Sequence, residues 1–120
     1  ILSGCADLSS PKAVRASMGA LFRLRTATVD DPTAFIRALQ STGRRVLATA
    51  LGEHSLTLGS CDLNGSDVPV IGNEGHGLAP DVIAAADATL LIPMAPGTES
   101  LNAGVAASVV LWEYFRTLAN

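Results

Sequence analysis

Apolar residues follow two kinds of pattern along the chain. Val14, Met18, Leu21 and Phe22 recur at i, i+4, i+7 and i+8 and form one helical stripe. Ser10 is placed as its N-cap and Pro11 as its first helical residue. Lys12 and Arg15, three apart, share the opposite side. Asp30-Asp31-Pro32 opens a second helix with Phe35, Ile36 and Leu39 as its buried face and Gly43 closing it. Ile1 to Gly4 reads as the tail of a strand that begins upstream, and Leu24 to Val29 as a short strand. Arg45 to Ala50 is a further strand, rich in small and branched residues. Val46–Ala50, Val68–Ile71 and Ala88–Ile92 are apolar runs without polar alternation, which predicts strands covered on both faces. Residues 52–67 carry turn chemistry throughout. Ala79-Pro80-Asp81 opens a short helix to Ala86. Leu101 to Leu118 is a long helix, N-capped by Ser100 and apolar almost all round, hence expected to be buried. Strands alternating with helices predict an α/β domain, a mainly parallel sheet flanked by helices.

Composition sharpens this. At 120 residues the expectation is one domain, 1–120. Hydrophobic residues make up 48% and charged residues 16%, enough apolar material for a core and too little charge for a disordered chain. The formal net charge of -3 gives no global basic footprint. The charge is uneven, however. Lys12, Arg15, Arg23 and Arg25 face one acid, Asp7, within residues 1–25, whereas the remainder carries four arginines against ten acids. The basic end is either a solvated helix face or a contact for an anionic partner. Two cysteines, Cys5 and Cys61, make no disulfide framework. They fit free thiols in a reducing cytoplasm. No apolar run reaches transmembrane length, and no secretory signal is visible.

In open α/β sheets, ligands bind beyond the carboxyl ends of the strands. Three loops hold that position: Leu51-Gly52-Glu53, Gly72 to Leu78, and Pro93 to Ser100. The middle loop spaces its glycines G-x-x-G-x-G, which is neither the dinucleotide fingerprint nor a Walker loop. It suits a close backbone approach to a ligand or a purely structural turn. Glu74, between two of those glycines, could orient a hydroxyl, cap the next helix or stand in solvent. Asn102, at the start of an apolar helix, needs partners from backbone or ligand. His54 and His76 lack metal-ligand spacing, so no metal is expected. Trp112 and Tyr114 suit a core or an interface.

Three stretches carry a family resemblance. Ser10-Pro11-Lys12-Ala13-Val14-Arg15-Ala16-Ser17-Met18-Gly19-Ala20-Leu21-Phe22 resembles the helix segment of the SpoU/TrmH family of the SPOUT superfamily. Ile71-Gly72-Asn73-Glu74-Gly75-His76-Gly77-Leu78 resembles its second motif. Ile92-Pro93-Met94, followed by Glu99-Ser100-Leu101-Asn102-Ala103-Gly104-Val105-Ala106-Ala107-Ser108, resembles its third. The resemblance implies an S-adenosyl-L-methionine-dependent 2'-O-ribose methyltransferase of rRNA or tRNA. It also implies a C-terminal deep trefoil knot and a homodimer, an expectation that Trp112, Tyr114 and Phe115 on the long helix support. Carried over by motif, Leu51, Gly52, Gly72, Asn73, Glu74, Gly75, Ile92, Met94 and Leu101 would hold the cofactor, and Glu74, Ser100 and Asn102 would organise the reacting groups. Lys12, Arg15, Arg23 and Arg25 would face RNA. The family's first motif, with its arginine, has no counterpart in these 120 residues. The chain therefore reads as the cofactor-binding, C-terminal part of such an enzyme, inactive alone. The competing reading is a non-catalytic RNA-docking or dimerisation module.

Overall fold

The computed structural model describes residues 1–52, 55–98 and 100–119. Glu53, His54 and Glu99, singled out above, lie outside the described residues. Four short strands make one parallel sheet: β1 (Arg45–Ala48), β2 (Leu56–Thr57), β3 (Asp67–Val70) and β4 (Ala88–Leu91), in the order β2-β4-β1-β3. The helices are α1 (Pro11–Ala16), α2 (Pro32–Ser41), α3 (Pro80–Ala85) and α4 (Ala103–Leu118). The parallel α/β architecture is the expected one.

Alternate side chains of the sheet serve two cores, because successive residues of a strand point to opposite faces. Leu47 and Leu90 pack with Val110 and Tyr114 of α4, and Val46 and Ala48 pack with Ile36 of α2 and Val82 of α3. Three layers result, with the sheet in the middle. At the amino ends of β1 and β3, the Arg45 guanidinium donates through Nε to Asp67 Oδ1 at 2.7 Å and through Nη2 to Oδ2 at 2.6 Å.

The starts of α1 and α2 are as the sequence implies. Ser10 Oγ accepts from the Ala13 amide at 3.3 Å, Asp31 Oδ1 accepts from the Ala34 amide at 3.0 Å, and Pro11 and Pro32 stand in the first turns.

Several expectations need correction. The stripe from Val14 to Phe22 is not one helix. It breaks at Met18 (φ 49) and Gly19 (φ 82), and a 3₁₀ turn follows at Ala20–Arg23. Met18 and Phe22 are exposed, not buried. Leu24 to Val29 forms no strand; Val29 makes a single parallel bridge with Leu2. Phe35 of α2 is exposed while Ile36 is buried. The supposed turn region holds β2, and Leu58 and Leu63 beside it enter the core. Only β1 is buried throughout its last three residues; β3 and β4 are mostly half-buried. Most unlike its expectation is α4, whose outer face leaves Leu111, Trp112, Phe115 and Leu118 more than 60% exposed. No helix among the described residues is long and apolar enough to cross a membrane.

Candidate functional site

An open cleft of about 230 Å³ lies at the carboxyl ends of β4, β1 and β3, three adjacent strands. Thr49, Ala50 and Leu51 run out of β1 into one wall. Ile71 to Glu74 and Gly77 leave β3, and Leu90 to Ile92 and Met94 leave β4. Ser100, Leu101, Ala103 and Ala106 close the cleft from the entry of α4. The walls are apolar apart from a few hydroxyls and amides, and Glu74 is the one ionisable side chain among the described lining residues.

The Gly72–Leu78 loop is a closed turn. The Asn73 amide donates to the Gly77 carbonyl at 3.1 Å, and the Gly77 amide donates back at 2.8 Å. Asn73 Oδ1 accepts from the Gly75 amide at 2.7 Å, an Asx turn that fixes the tip. Gly77 sits at φ 65, and a Cβ on Gly72 would lie 2.7 Å from the Gly77 carbonyl carbon. Side chains at either position would spread the turn.

This turn aims Glu74 at the start of α4. Glu74 Oε1 accepts from Asn102 Nδ2 at 3.0 Å and from the Ala103 amide at 3.1 Å. Asn102 Oδ1 in turn accepts from the Gly104 and Val105 amides at 3.0 and 3.2 Å. Asn102 is therefore the N-cap of α4, not Ser100 as expected, and it is exposed rather than buried. Glu74 caps α4, across the cleft, and not the helix that follows its own loop. A carboxylate there is favoured by the unpaired amides and the positive end of the helix.

Of the residues assigned by motif, Leu51, Gly72, Asn73, Glu74, Ile92, Met94, Ser100 and Leu101 line the cleft. Gly52, Gly75 and Asn102 are not among the residues that line it. Lys12 and Arg15 on α1, Arg23 in the 3₁₀ turn and Arg25 are all exposed. Thr49, Ala50, Leu90, Leu91 and Ala106 were not singled out as site residues. The first four are strand ends that the carboxyl-edge rule could have included, and Ala106 is one helical turn past Asn102. No group of three or more His, Cys, Asp or Glu that could hold a metal ion occurs among the described residues.

Residues 1–112 match the sequence profile of the SpoU rRNA Methylase family. The chain belongs to this family. It is 35% identical over 119 residues to the 23S rRNA (uridine(2479)-2'-O)-methyltransferase of Streptomyces viridochromogenes, covering 92% of this chain and 40% of that protein. It is 33% identical over 85 residues to the tRNA (guanosine(18)-2'-O)-methyltransferase of Aquifex aeolicus, covering 71% of this chain and 40% of that one. The solved structure of the SpoU methyltransferase AviRb from S. viridochromogenes in complex with AdoMet superposes with a TM-score of 0.84 at 32% identity, over 99% of this chain and 49% of that chain. An AdoMet-bound rRNA methyltransferase from Sinorhizobium meliloti gives 0.86 at 32%, over 98% and 44%. The chain thus spans less than half the length of each of these relatives.

Proposed function

We propose that the cleft holds S-adenosyl-L-methionine, and that the complete protein methylates a ribose 2'-hydroxyl in rRNA or tRNA. The observation that carries this is the cleft itself. It has apolar walls and sits at the carboxyl edge of three parallel strands, and one carboxylate ties the turn after β3 to the entry of α4. Its residues fit the cofactor. Leu51, Ile71, Ile92, Met94 and Leu101 offer a slot for an adenine, and the glycine turn brings backbone close with no side chain in the way. Glu74 puts negative charge at the rim, which suits a cationic ligand. When bound, the cofactor supplies an electrophilic methyl group on a sulfonium.

Glu74 and Asn102 tie the two motif loops together, and Ser100 lines the cleft. Together they organise the place a ribose must occupy for in-line attack. Lys12, Arg15, Arg23 and Arg25 supply an exposed basic face for the RNA backbone, with binding that weakens as salt rises. The same reading carries a trefoil knot in the C-terminal part, a homodimer with the site near its interface, and work in the cytoplasm.

A second reading, a non-catalytic RNA-docking or dimerisation module, draws on the lining. Among the described residues of the cleft, the one ionisable side chain that could take a proton from the 2'-hydroxyl is Glu74, and its Oε1 is already engaged by Asn102 Nδ2 and the Ala103 amide. Isothermal titration with S-adenosylhomocysteine tests the first reading. Saturable binding to one site per chain is expected, and it is lost in Gly72→Val with the circular dichroism spectrum unchanged. A folded protein that binds none overturns the cofactor assignment.

A further inference from the structure

Leu51 forms part of the cleft wall although it is 76% exposed. So little burial cannot hold a loop in one place. Hydrogen bonds from outside the cleft do it instead. Ser55 Oγ donates to the Gly52 carbonyl at 2.9 Å, and the same Oγ lies 2.8 Å from Thr89 Oγ1. A carbonyl can only accept, so the single proton of Ser55 is committed to Gly52. The Thr89 hydroxyl is then the donor to Ser55. The chain has a fixed direction: Thr89 to Ser55 to Gly52.

Thr89 is well placed to anchor such a chain. It sits inside β4, paired with Ala48 of β1, while Leu90 beside it pairs with Leu56 of β2, the residue after Ser55. Its branched Cβ restricts rotation. The fit is also steric, because a Cβ on Gly52 would lie 2.9 Å from Thr89 Oγ1 and 3.3 Å from Ser55 Oγ.

We propose that Thr89 and Ser55 are positioning residues: through the Gly52 carbonyl they set the Leu51 wall of the cleft and so its affinity for the cofactor. The inference rests on the reading of the cleft as an S-adenosylmethionine site. Neither side chain belongs to the lining, and both act through Gly52.

The test combines S-adenosylhomocysteine titration with backbone NMR order parameters at Ala50 to Gly52, in wild type, Thr89→Val, Thr89→Ser and Ser55→Ala. Thr89→Val keeps the shape and removes the donor. It should weaken binding about three- to tenfold, the range of one lost hydrogen bond. It should also lower the order parameters at Ala50 to Gly52 while those of Val46 to Ala48 stay unchanged. Thr89→Ser restores the affinity to within about twofold and the order parameters to wild type, and Thr89→Val adds nothing to Ser55→Ala, because the relay is already cut. Unchanged order parameters in Thr89→Val overturn the proposal whatever the affinity does, as do lowered order parameters with wild-type affinity. If wild type binds no S-adenosylhomocysteine but Thr89→Val still loosens Ala50 to Gly52, the cofactor reading falls and the clasp stands.

Discussion

The side-chain amide of Asn102 works at both ends: Oδ1 caps α4, and Nδ2 holds Glu74. Two substitutions separate these roles. Asn102→Ala removes both, so urea denaturation should show a loss of about 1 kcal/mol from the missing cap. Methyl transfer by the complete protein should fall about tenfold, the equivalent of ~1.4 kcal/mol at the transition state. Asn102→Asp keeps a capping oxygen but sets a second carboxylate against Glu74. Its stability should fall less than that of Asn102→Ala, while turnover falls as far. Wild-type turnover in Asn102→Asp would mean that the tie to Glu74 does nothing for the site. The sequence placed both residues at motif positions. It could not show that they meet, because 28 residues separate them and only the folded sheet brings the two loops together.

Among the elements, the amino edge of the sheet opposes the cleft and is pinned by one ion pair. Asp67 is 7% exposed, and Arg45 binds it through two nitrogens while the Asn64 amide donates at 2.9 Å. Burial pushes the Asp67 carboxyl up, but the hydrogen bonds from Arg45 and Asn64 and the arginine's charge outweigh it and leave it below its ordinary 3.8. A carboxyl lowered by folding stabilises the native state above its unfolded value, and that contribution is lost as pH falls through the folded one. Thermal stability should therefore drop in acid below about pH 4, and Asp67→Asn should be less stable at neutral pH with a flatter acid limb. An identical acid limb in Asp67→Asn would place the acid sensitivity elsewhere. Close by, burial and then the Asp67 charge push the Tyr114 hydroxyl up to about 12, so it stays neutral across this range. Periodicity found the long elements because burial repeats along them. It missed β2, since two residues leave no period to read, and it joined α1 to the 3₁₀ turn because nothing in the apolar spacing reports that Met18 turns left-handed.

For the whole molecule, the unusual feature is a helix that is apolar on both sides. Val110 and Tyr114 face the core, while Val105, Val109 and Trp112 form one outer ridge and Leu111, Phe115 and Leu118 another. The charges of α4 are Glu113 and Arg116, which pair with each other at 2.5 Å. The sequence pattern marked this helix as buried, and the single chain leaves half of it bare. The hydrophobic effect makes such a face costly in water, and aromatic residues at its centre suit a protein interface. A second copy is the cover proposed above. Light scattering at tens of micromolar should give twice the chain mass. Trp112→Glu together with Phe115→Glu should give the single mass, because charges buried in an apolar interface go unpaired. Both positions point away from the core, so the circular dichroism spectrum and the Arg45–Asp67 acid limb should persist in the double variant. A double variant that remains a dimer would move the contact off α4. A wild type that is monomeric throughout would leave this face to a partner other than itself.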